Sequence, residues 1–304
     1  MMKGAVIDLG TNTFGLIVFQ KNNGQIEVLH TDKSFVNLGE GGINANKITQ
    51  QAMDRAYRSI SHFVDACRSF GVYPEQIRAF GTSALRDANN AQEFLDEIKA
   101  QHDLEIQLID GNQEAKMVYE GVKNIHYFKE NTSCIMDIGG GSTEFTVTNK
   151  SQIQDQKSFN IGISRITQLF ELSDPLSAED LQRIELFLAY QSKDYFQNLN
   201  VDSLIGAAGS FETFFSMMNE TSTYAKNTSH MLPMQELMQC LEHLTHSARK
   251  ERDENFWIVD YRKEMINVAA FKTKWVLEQL GATSCYFSPS GLKEGIIAYA
   301  FKES

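Results

Sequence analysis

The chain has 304 residues, of which 42% are hydrophobic, and a formal net charge of −11. This length predicts roughly two domains of ~150 residues with sizeable cores, and the composition excludes a disordered chain. The acidic excess argues against general nucleic-acid binding, which requires clustered Lys and Arg.

The same sequence indicates where the protein works. Asp8 interrupts the N-terminal apolar stretch, so we expect no signal peptide, and no apolar run approaches the ~18 residues of a membrane span. The four cysteines are widely separated and form no CxxC pair, which is typical of reduced thiols. We therefore expect a cytoplasmic protein without a membrane partner.

The first half of the chain alternates strand and helix patterns. Apolar runs at 3–9 and 14–19 predict a β-hairpin, and residues 26–30 predict a third strand. Thr49 is the expected N-cap of a helix that reaches about Phe70. The buried face of that helix is predicted to carry Met53, Ala56, Ile60 and Phe63. The remaining predicted elements are a strand at 77–80, a helix at 91–101, a strand at 105–109 and a helix at 113–122.

The second half restarts the same scheme with strands at 133–138 and 144–149. The later predicted elements are helices at 164–171 and 178–198, a strand at 203–206, helices at 210–218, 234–247 and 263–280, a strand at 284–287 and a C-terminal helix. This repeated order predicts two α/β lobes with mixed sheets. We expect the boundary at the polar connection near residues 122–132.

Two related glycine-rich turns are the most informative feature of the sequence. Residues 7–14 and 136–145 each place an aspartate after an apolar strand, followed by glycine, hydroxyl residues and a second strand. Glycine allows close approach of a phosphate to backbone N–H groups, and hydroxyls add donors. The pair therefore predicts two lobes that face one phosphate-bearing ligand, although each turn alone is also compatible with a simple tight hairpin.

The aspartates of these turns predict a metal. Asp8 and Asp137 repel phosphate, so they are better explained as ligands of Mg²⁺, direct or through water. Glu144, just after the second turn, is suited to the same role. The motifs of P-loop, dinucleotide-binding and serine-hydrolase proteins are absent from the sequence.

Two further segments follow predicted strands, where α/β proteins place ligands. In residues 81–87, Arg86 can grip a phosphoryl group, or simply pair with Asp87. In residues 110–115, Glu114 can act as the general base for a water nucleophile. Acidic residues are also common in the first turn of a helix, so the spacing alone leaves both questions open.

Together these segments resemble the exopolyphosphatase and guanosine pentaphosphate phosphatase (Ppx/GppA) family, within the actin-like ATPase superfamily. The resemblance covers nearly the whole chain and is most specific in its first half. The matching segments are residues 8–14, 82–88, 111–115, 137–144, 160–165, 206–210 and 290–295.

The resemblance implies an α/β fold of two actin-like (ribonuclease H-like) lobes, with mixed sheets flanked by helices and the active site in the interdomain cleft. Domain I would comprise residues 1–124 plus about 289–304, and domain II residues 125–288. Glu114 would activate water and Arg86 would bind phosphate. Asp137 and Glu144 would hold Mg²⁺, with Asp8 as a further ligand. The implied phosphate-binding residues are Gly10, Thr11, Asn12, Thr13, Ser83, Gly139, Gly140, Gly141, Ser142, Thr143, Gly209 and Ser210.

Three positions depart from the family pattern. Gly15 stands where a larger basic residue is common, Phe211 follows the loop that usually ends in Gly-Thr, and Asn267 lies where Pro-Gly is usual. We also expect only the two lobes, without the helical extension of long members. These differences bear on substrate length and on activity.

The expected activity is Mg²⁺-dependent hydrolysis of the terminal phosphate of inorganic polyphosphate. The alternatives are hydrolysis of the 5′ γ-phosphate of guanosine pentaphosphate, a non-catalytic sensor of phosphate-rich ligands, and an ATP-dependent kinase of the same superfamily. A homodimer is a further expectation from the family.

Overall fold

The computed structural model of the protein describes residues 2–128, 131–207 and 209–301. These residues form two mixed sheets. The strands of the first sheet are β1 (Met2–Leu9), β2 (Thr13–Asn22), β3 (Gln25–Phe35), β4 (Ile77–Gly81) and β5 (Ile106–Leu108). The strands of the second sheet are β6 (Thr132–Ile138), β7 (Thr143–Asn149), β8 (Gln152–Phe159), β9 (Ser203–Ala207), β10 (His230–Leu232) and β11 (Ser284–Ser288).

The helices flank these sheets. In the first half of the chain they are α1 (Gln50–Ser69), α2 (Ser83–Asp87), α3 (Ala91–His102) and α4 (Gly111–Lys123). In the second half they are α5 (Ile163–Leu169), α6 (Ala178–Ser192), α7 (Gly209–Asn219), α8 (Met234–His246), α9 (Arg249–Glu254), α10 (Ile266–Leu280) and α11 (Leu292–Ala300). Helix α1 begins as predicted, because the Thr49 side chain accepts a hydrogen bond from the Ala52 N–H.

The two sheets repeat one topology. The first has the strand order β3-β2-β1-β4-β5, and the second has β8-β7-β6-β9-β11 with β10 added at its edge. In both sheets the first three strands in sequence are antiparallel and the next strands pair in parallel. The repeat expected from the two glycine-rich turns is therefore a repeat of the fold.

Some predicted elements differ from the observed ones. The helix predicted at 178–198 ends at Ser192, because Lys193 adopts a positive φ of 50° that cannot continue a helix. The third strand is longer than 26–30, and β8, β10 and α9 were not predicted. Strand β8 lies at the sheet's edge and its sequence is mostly polar, so it lacks the apolar alternation of a half-buried strand.

Helices α4 and α11 pack between the two sheets. They share one apolar core with side chains from both sheets, including Val6 and Ile17 of the first and Ile135 and Ile205 of the second. Close approach of the helices requires a glycine, since a Cβ on Gly295 would lie 1.7 Å from the Met117 carbonyl oxygen. This packing fixes the start of α4, and hence Glu114, relative to both sheets.

The proposed division into domains stays a prediction. Helix α4 ends at Lys123, the second sheet begins at Thr132, and α11 contacts α4, β1 and β2. Residues 129 and 130 of the expected connection lie outside the described residues, as do residue 208 of the 206–210 segment and residues 302–304. Within the described residues, no helix combines the length and apolarity of a membrane span.

Candidate active site

Each sheet contributes an aspartate at the end of its central strand. Asp8 pairs with Gly15 across the β1–β2 hairpin, and Asp137 pairs with Glu144 across the β6–β7 hairpin. Both turns between these strands are tight, and the Gly10 N–H donates to the Thr13 carbonyl at 3.2 Å. The aspartates therefore occupy equivalent positions in the two sheets, as the sequence repeat predicts.

The two turns meet face to face. A Cβ on Gly140 would lie 2.7 Å from Asn12 Oδ1, and one on Gly141 would lie 2.3 Å from Ser83 Oγ. The Ser164 hydroxyl donates to Asn12 Oδ1 at 2.5 Å, which joins α5 to the first turn. These contacts need glycine at 140 and 141, because any side chain would separate the turns.

A second bridge lies beside the turns. Arg165 of α5 donates to the Gly141 carbonyl at 3.0 Å and pairs with Asp87 of α2 at 2.9 Å. This guanidinium therefore connects the second turn to the 81–87 segment. In the sequence, Arg165 stands out only as part of the 160–165 segment.

Arg86 and Glu114 contact each other directly. Arg86 Nη1 donates to Glu114 Oε2 at 3.2 Å and to the Ile109 carbonyl at 3.0 Å. Its Nε also lies 3.5 Å from Asp87 Oδ1, so the pairing considered for Arg86 is present together with the contact to Glu114. Glu114 does not cap its helix, because a capping box formed by Asp110 and Gln113 already does so.

Four carboxyl groups lie close together around this point, and the pKa of each is raised despite nearby cations. Burial raises the pKa of Asp8 to about 6, although Lys293 and Lys33 oppose the shift. Burial and the neighbouring Glu144 and Asp8 raise the pKa of Asp137 to about 8. Burial and Glu144 also raise the pKa of Glu114 well above its usual range, while Arg86 lowers it. Burial raises the pKa of Glu144 despite hydrogen bonds from Ser142 and Ser158.

These groups fit a divalent cation that keeps most of its own water. Asp8 Oδ1 is buried and has no hydrogen-bond partner, and the surrounding carboxyls repel one another. No three His, Cys, Asp or Glu side chains of the described residues converge closely enough to hold a metal by themselves. Mg²⁺ commonly binds through one or two carboxylates, waters and substrate phosphates, so this arrangement suits it. The ligands Asp8, Asp137 and Glu144 stay a prediction.

Most predicted site residues line one cavity of about 210 Å³ between the sheets. They are Asp8, Gly10, Thr11, Asn12, Thr13, Ser83, Glu114, Asp137, Gly139, Gly140, Gly141, Ser142, Gly209 and Ser210. Arg86 and Glu144 do not line the cavity. Thr143 also lies outside it, because its fully buried hydroxyl accepts a hydrogen bond from Lys272 at 2.7 Å.

The cavity also contains residues that the sequence analysis did not single out, notably Lys33, Tyr261, Arg262 and Lys293. Lys293 lies in the 290–295 segment, whose resemblance to the family does not by itself indicate a role for the lysine. Lys33 lies in the longer third strand and has no motif around it. The pairing register that brings it to the cleft was not available from the sequence.

Two repeated sheets that meet at glycine-rich turns define a protein of the actin-like fold, as predicted. A family model described as the Ppx/GppA phosphatase family matches residues 17–303. The chain therefore belongs to the Ppx/GppA phosphatase family. This confirms the family predicted from the sequence and places the chain in a class of phosphate-hydrolysing enzymes.

Individual relatives agree with this assignment. The crystal structure of an exopolyphosphatase from Cytophaga hutchinsonii is similar over 99% of this chain and 98% of that one, with 31% identity and a TM-score of 0.94. A crystal structure of the Aquifex aeolicus family member covers 99% of this chain and 98% of its own, with 23% identity and a TM-score of 0.79, and supports the fold alone.

A curated relative shows the same kind of domain in a longer protein. The bifunctional 3-dehydroquinate synthase/phosphatase of Fusobacterium nucleatum subsp. nucleatum is 32% identical over 240 residues, which are 75% of this chain. The match covers 36% of that relative, so the chain spans about a third of its length.

Proposed function

We propose that this chain is a Mg²⁺-dependent exopolyphosphatase that removes the terminal phosphate of inorganic polyphosphate. The observation that carries the proposal is the placement of Glu114. Its carboxyl group is buried in the cleft, held by Arg86, and borders a cavity formed by two facing anion-binding turns. A base at the edge of a phosphate cradle is what an attack by water requires.

In this proposal each group of residues has a separate task. Glu114 accepts a proton from the water that attacks the terminal phosphorus, and Arg86 holds the carboxylate in place. Backbone N–H groups of the turns, with Thr11 and Ser142, donate to the phosphoryl oxygens. Mg²⁺ held by Asp137, Glu144 and Asp8, directly or through water, would neutralise charge on those oxygens. A direct contact of Arg86 with phosphate also stays a proposal.

The two departures after residue 206 do not reach the proposed machinery. Phe211 is fully buried in the second lobe's core, and Asn267 is also buried and does not line the cavity. This weakens the case for a non-catalytic sensor, which rested on them. Glu114 favours hydrolysis over an ATP-dependent kinase, because a kinase has no need of a water-activating base at this position.

A phosphate-release panel tests the proposal. The purified protein with Mg²⁺ is given short and long polyphosphates, guanosine pentaphosphate and ATP. We expect phosphate release from polyphosphate at the highest kcat/KM. Binding of polyphosphate without release would favour the sensor, a preference for guanosine pentaphosphate would favour the nucleotide phosphatase, and ATP-dependent phosphorylation of an acceptor would favour the kinase.

Two expectations accompany this function. The cytoplasmic location is a proposal that rests on the four separate cysteines of the sequence. A homodimer is likewise proposed only from the family, and sedimentation of the purified chain would test it.

A further inference from the structure

One cross-strand row differs in charge between the two repeated sheets. In the second sheet Asp137 pairs with Glu144, and Glu144 pairs with Ser158. In the first sheet the equivalent row is Asp8, Gly15 and Lys33. Directly paired residues project to the same face, so each row faces the cleft as a unit. Where the second row has the Glu144 carboxylate, the first row has Gly15, which leaves an empty position.

The empty position is filled by a lysine from another element. A Cβ on Gly15 would lie 2.8 Å from Lys293 Nζ and 2.9 Å from its Cδ. The Lys293 side chain therefore lies flat over Gly15, between Asp8 and Lys33. Any residue larger than glycine at 15 would have to push the lysine away, so Gly15 is the reason that Lys293 can occupy this site.

The two lysines attract the Asp8 carboxylate but make no close ion pair with it. Neither ammonium group forms an ion pair with a carboxylate within residues 2–128, 131–207 and 209–301. Glu294, next to Lys293, instead accepts a hydrogen bond from the Gly291 N–H at 3.0 Å. The nearby Arg262 pairs with Glu212 at 2.8 Å. Adjacent cations that lack a close carboxylate partner favour an anion, since a bound anion relieves their mutual repulsion.

The lysines lie on the side of the cleft opposite to the proposed base. In the strand order β3-β2-β1-β4-β5, Lys33 belongs to β3 and Lys293 covers β2, while Glu114 follows β5. Asp8 on β1 is between them. In-line displacement places the attacking water and the leaving oxygen on opposite sides of phosphorus. A water beside Glu114 therefore directs the leaving group towards the two lysines.

We propose that Lys293 and Lys33 bind the phosphates adjacent to the one removed, which form the leaving chain of a linear polyphosphate. This inference rests on the proposed function and deepens it by naming a specificity-determining pair. Gly15 determines the site by leaving space for Lys293. Lys293 of α11 thus supplies the positive charge that a basic residue at position 15 would otherwise provide.

The aromatic group at this position favours a linear phosphate chain over a nucleotide. Tyr261 is the one aromatic residue among the described residues that line the cavity. Its ring is stacked on Phe35 with centroids 6.1 Å apart, and Lys33 Nζ and the Arg262 guanidinium lie 5.0 and 5.3 Å from its centroid. A nucleobase would need a free aromatic face, and these neighbours occupy the ring.

Equilibrium binding tests the inference without requiring turnover. In a Glu114→Gln background, calorimetry with Mg²⁺ compares tripolyphosphate and guanosine pentaphosphate for the parent, Lys293→Met and a matched Lys250→Met variant. Lys250 is an exposed lysine on α9, and methionine keeps the length of the lysine stem. We expect Lys293→Met to raise the Kd for tripolyphosphate about tenfold or more, as for one lost charge-assisted contact. Lys250→Met should leave it unchanged.

Two further variants separate the lost charge from a misfolded site. Gly15→Leu should weaken tripolyphosphate binding although Lys293 is present, and Gly15→Arg combined with Lys293→Met should restore much of it. Melting temperatures confirm that each variant folds. Unchanged binding by folded Lys293→Met overturns the inference, as does tighter binding of guanosine pentaphosphate than of tripolyphosphate by the parent. Failure of the wild-type chain to hydrolyse any polyphosphate would instead overturn the proposed function.

Discussion

Arg86 and Glu114 form a partly buried ion pair at the edge of the cleft, with Nη1 and Oε2 3.2 Å apart. They come from helices that follow neighbouring strands, so the sheet itself sets their distance. The guanidinium also binds the Ile109 carbonyl, which fixes its orientation. Because Glu114 borders the cavity and Arg86 does not, the carboxylate is the member of the pair that can meet a reactant.

The first prediction concerns the Glu114 carboxylate. Glu114→Gln keeps the side-chain shape but removes the proton acceptor, so we expect kcat to fall about 10²- to 10⁴-fold, the usual worth of a general base. Polyphosphate binding should remain. Phosphate release and calorimetry measure the two effects.

Glu179→Gln is the matched control for this substitution. Glu179 also lies in the first turn of a helix, α6, but is exposed and outside the cavity. It should retain full activity. Equal rates for Glu114→Gln and wild type would show that another group activates water.

A second prediction follows from the cation beside Glu114. Arg86 lowers the pKa of this carboxyl group, against burial and Glu144, which raise it. Arg86→Met removes the lowering influence, so the pKa of Glu114 should rise and less of the base should be ionised at a given pH. The acidic limb of the kcat/KM profile should therefore move to higher pH.

Arg86→Lys separates charge from geometry in the same experiment. Lysine keeps a cation but lacks the guanidinium fork that binds both Glu114 and Ile109. The acidic limb of the Arg86→Lys profile should therefore lie between those of wild type and Arg86→Met. A profile that only falls in height, with no shift along the pH axis, would assign Arg86 to phosphate binding instead of to positioning of the base.

These residues also indicate how far the sequence predicts the site. The repeated turns placed Asp8 and Asp137 correctly in equivalent hairpins, because glycine and hydroxyl spacing encodes local backbone geometry. The sequence did not predict that Thr143 points away from the cavity, since adjacent strand residues alternate faces and the register was unknown. Lys33 and Lys293 were missed because they meet only through tertiary packing.

The fold was predictable to a similar extent. Strong periodic patterns such as α1 gave the right element with the right buried residues. The edge strand β8 was missed because tertiary pairing with β7, rather than its own apolar pattern, holds it in the sheet. The two-lobe organisation was inferred from the repeat, which no single element would have indicated.

The third prediction concerns the metal-free protein. The pKa of Asp137 is raised from 3.8 to about 8, chiefly by burial, so its protonated form is the one favoured by folding. The resulting stability is fully present below the unfolded value and is lost as the pH rises through about 8. Without Mg²⁺, the free energy of unfolding should therefore decrease over this range.

Asp137→Asn should flatten that pH dependence and make the metal-free protein more stable near pH 8, because the neutral amide needs no counter-charge. We expect Mg²⁺ to raise the melting temperature of the wild type by binding the folded state, and Asp137→Asn should abolish this stabilisation. Asp194→Asn, at an exposed position, is the control. Identical Mg²⁺ stabilisation of wild type and Asp137→Asn would remove Asp137 from the metal site.

The fourth prediction concerns the packing of Phe211, one of the departures from the family pattern, against Gly206. A Cβ on Gly206 would lie 1.9 Å from the Phe211 ring, so the large ring occupies the space above this glycine. Gly206→Ala should therefore lower the free energy of unfolding by about 1–3 kcal/mol through overpacking. Phe211→Leu in the same chain should recover part of the loss, because the smaller side chain makes room for the methyl group.

Urea unfolding of the single and double variants measures this coupling. Gly24→Ala is the comparison, since Gly24 has a φ of 82° but no atom within 4 Å of its Cβ position. Gly24→Ala should destabilise the protein through backbone strain, so its change in the free energy of unfolding should simply add to that of Phe211→Leu. If the changes in the free energy of unfolding for Gly206→Ala and Phe211→Leu were also additive, the Phe211 ring would not be the reason for glycine at 206. The presence of Phe211 after Ser210 would then need an explanation in the cleft.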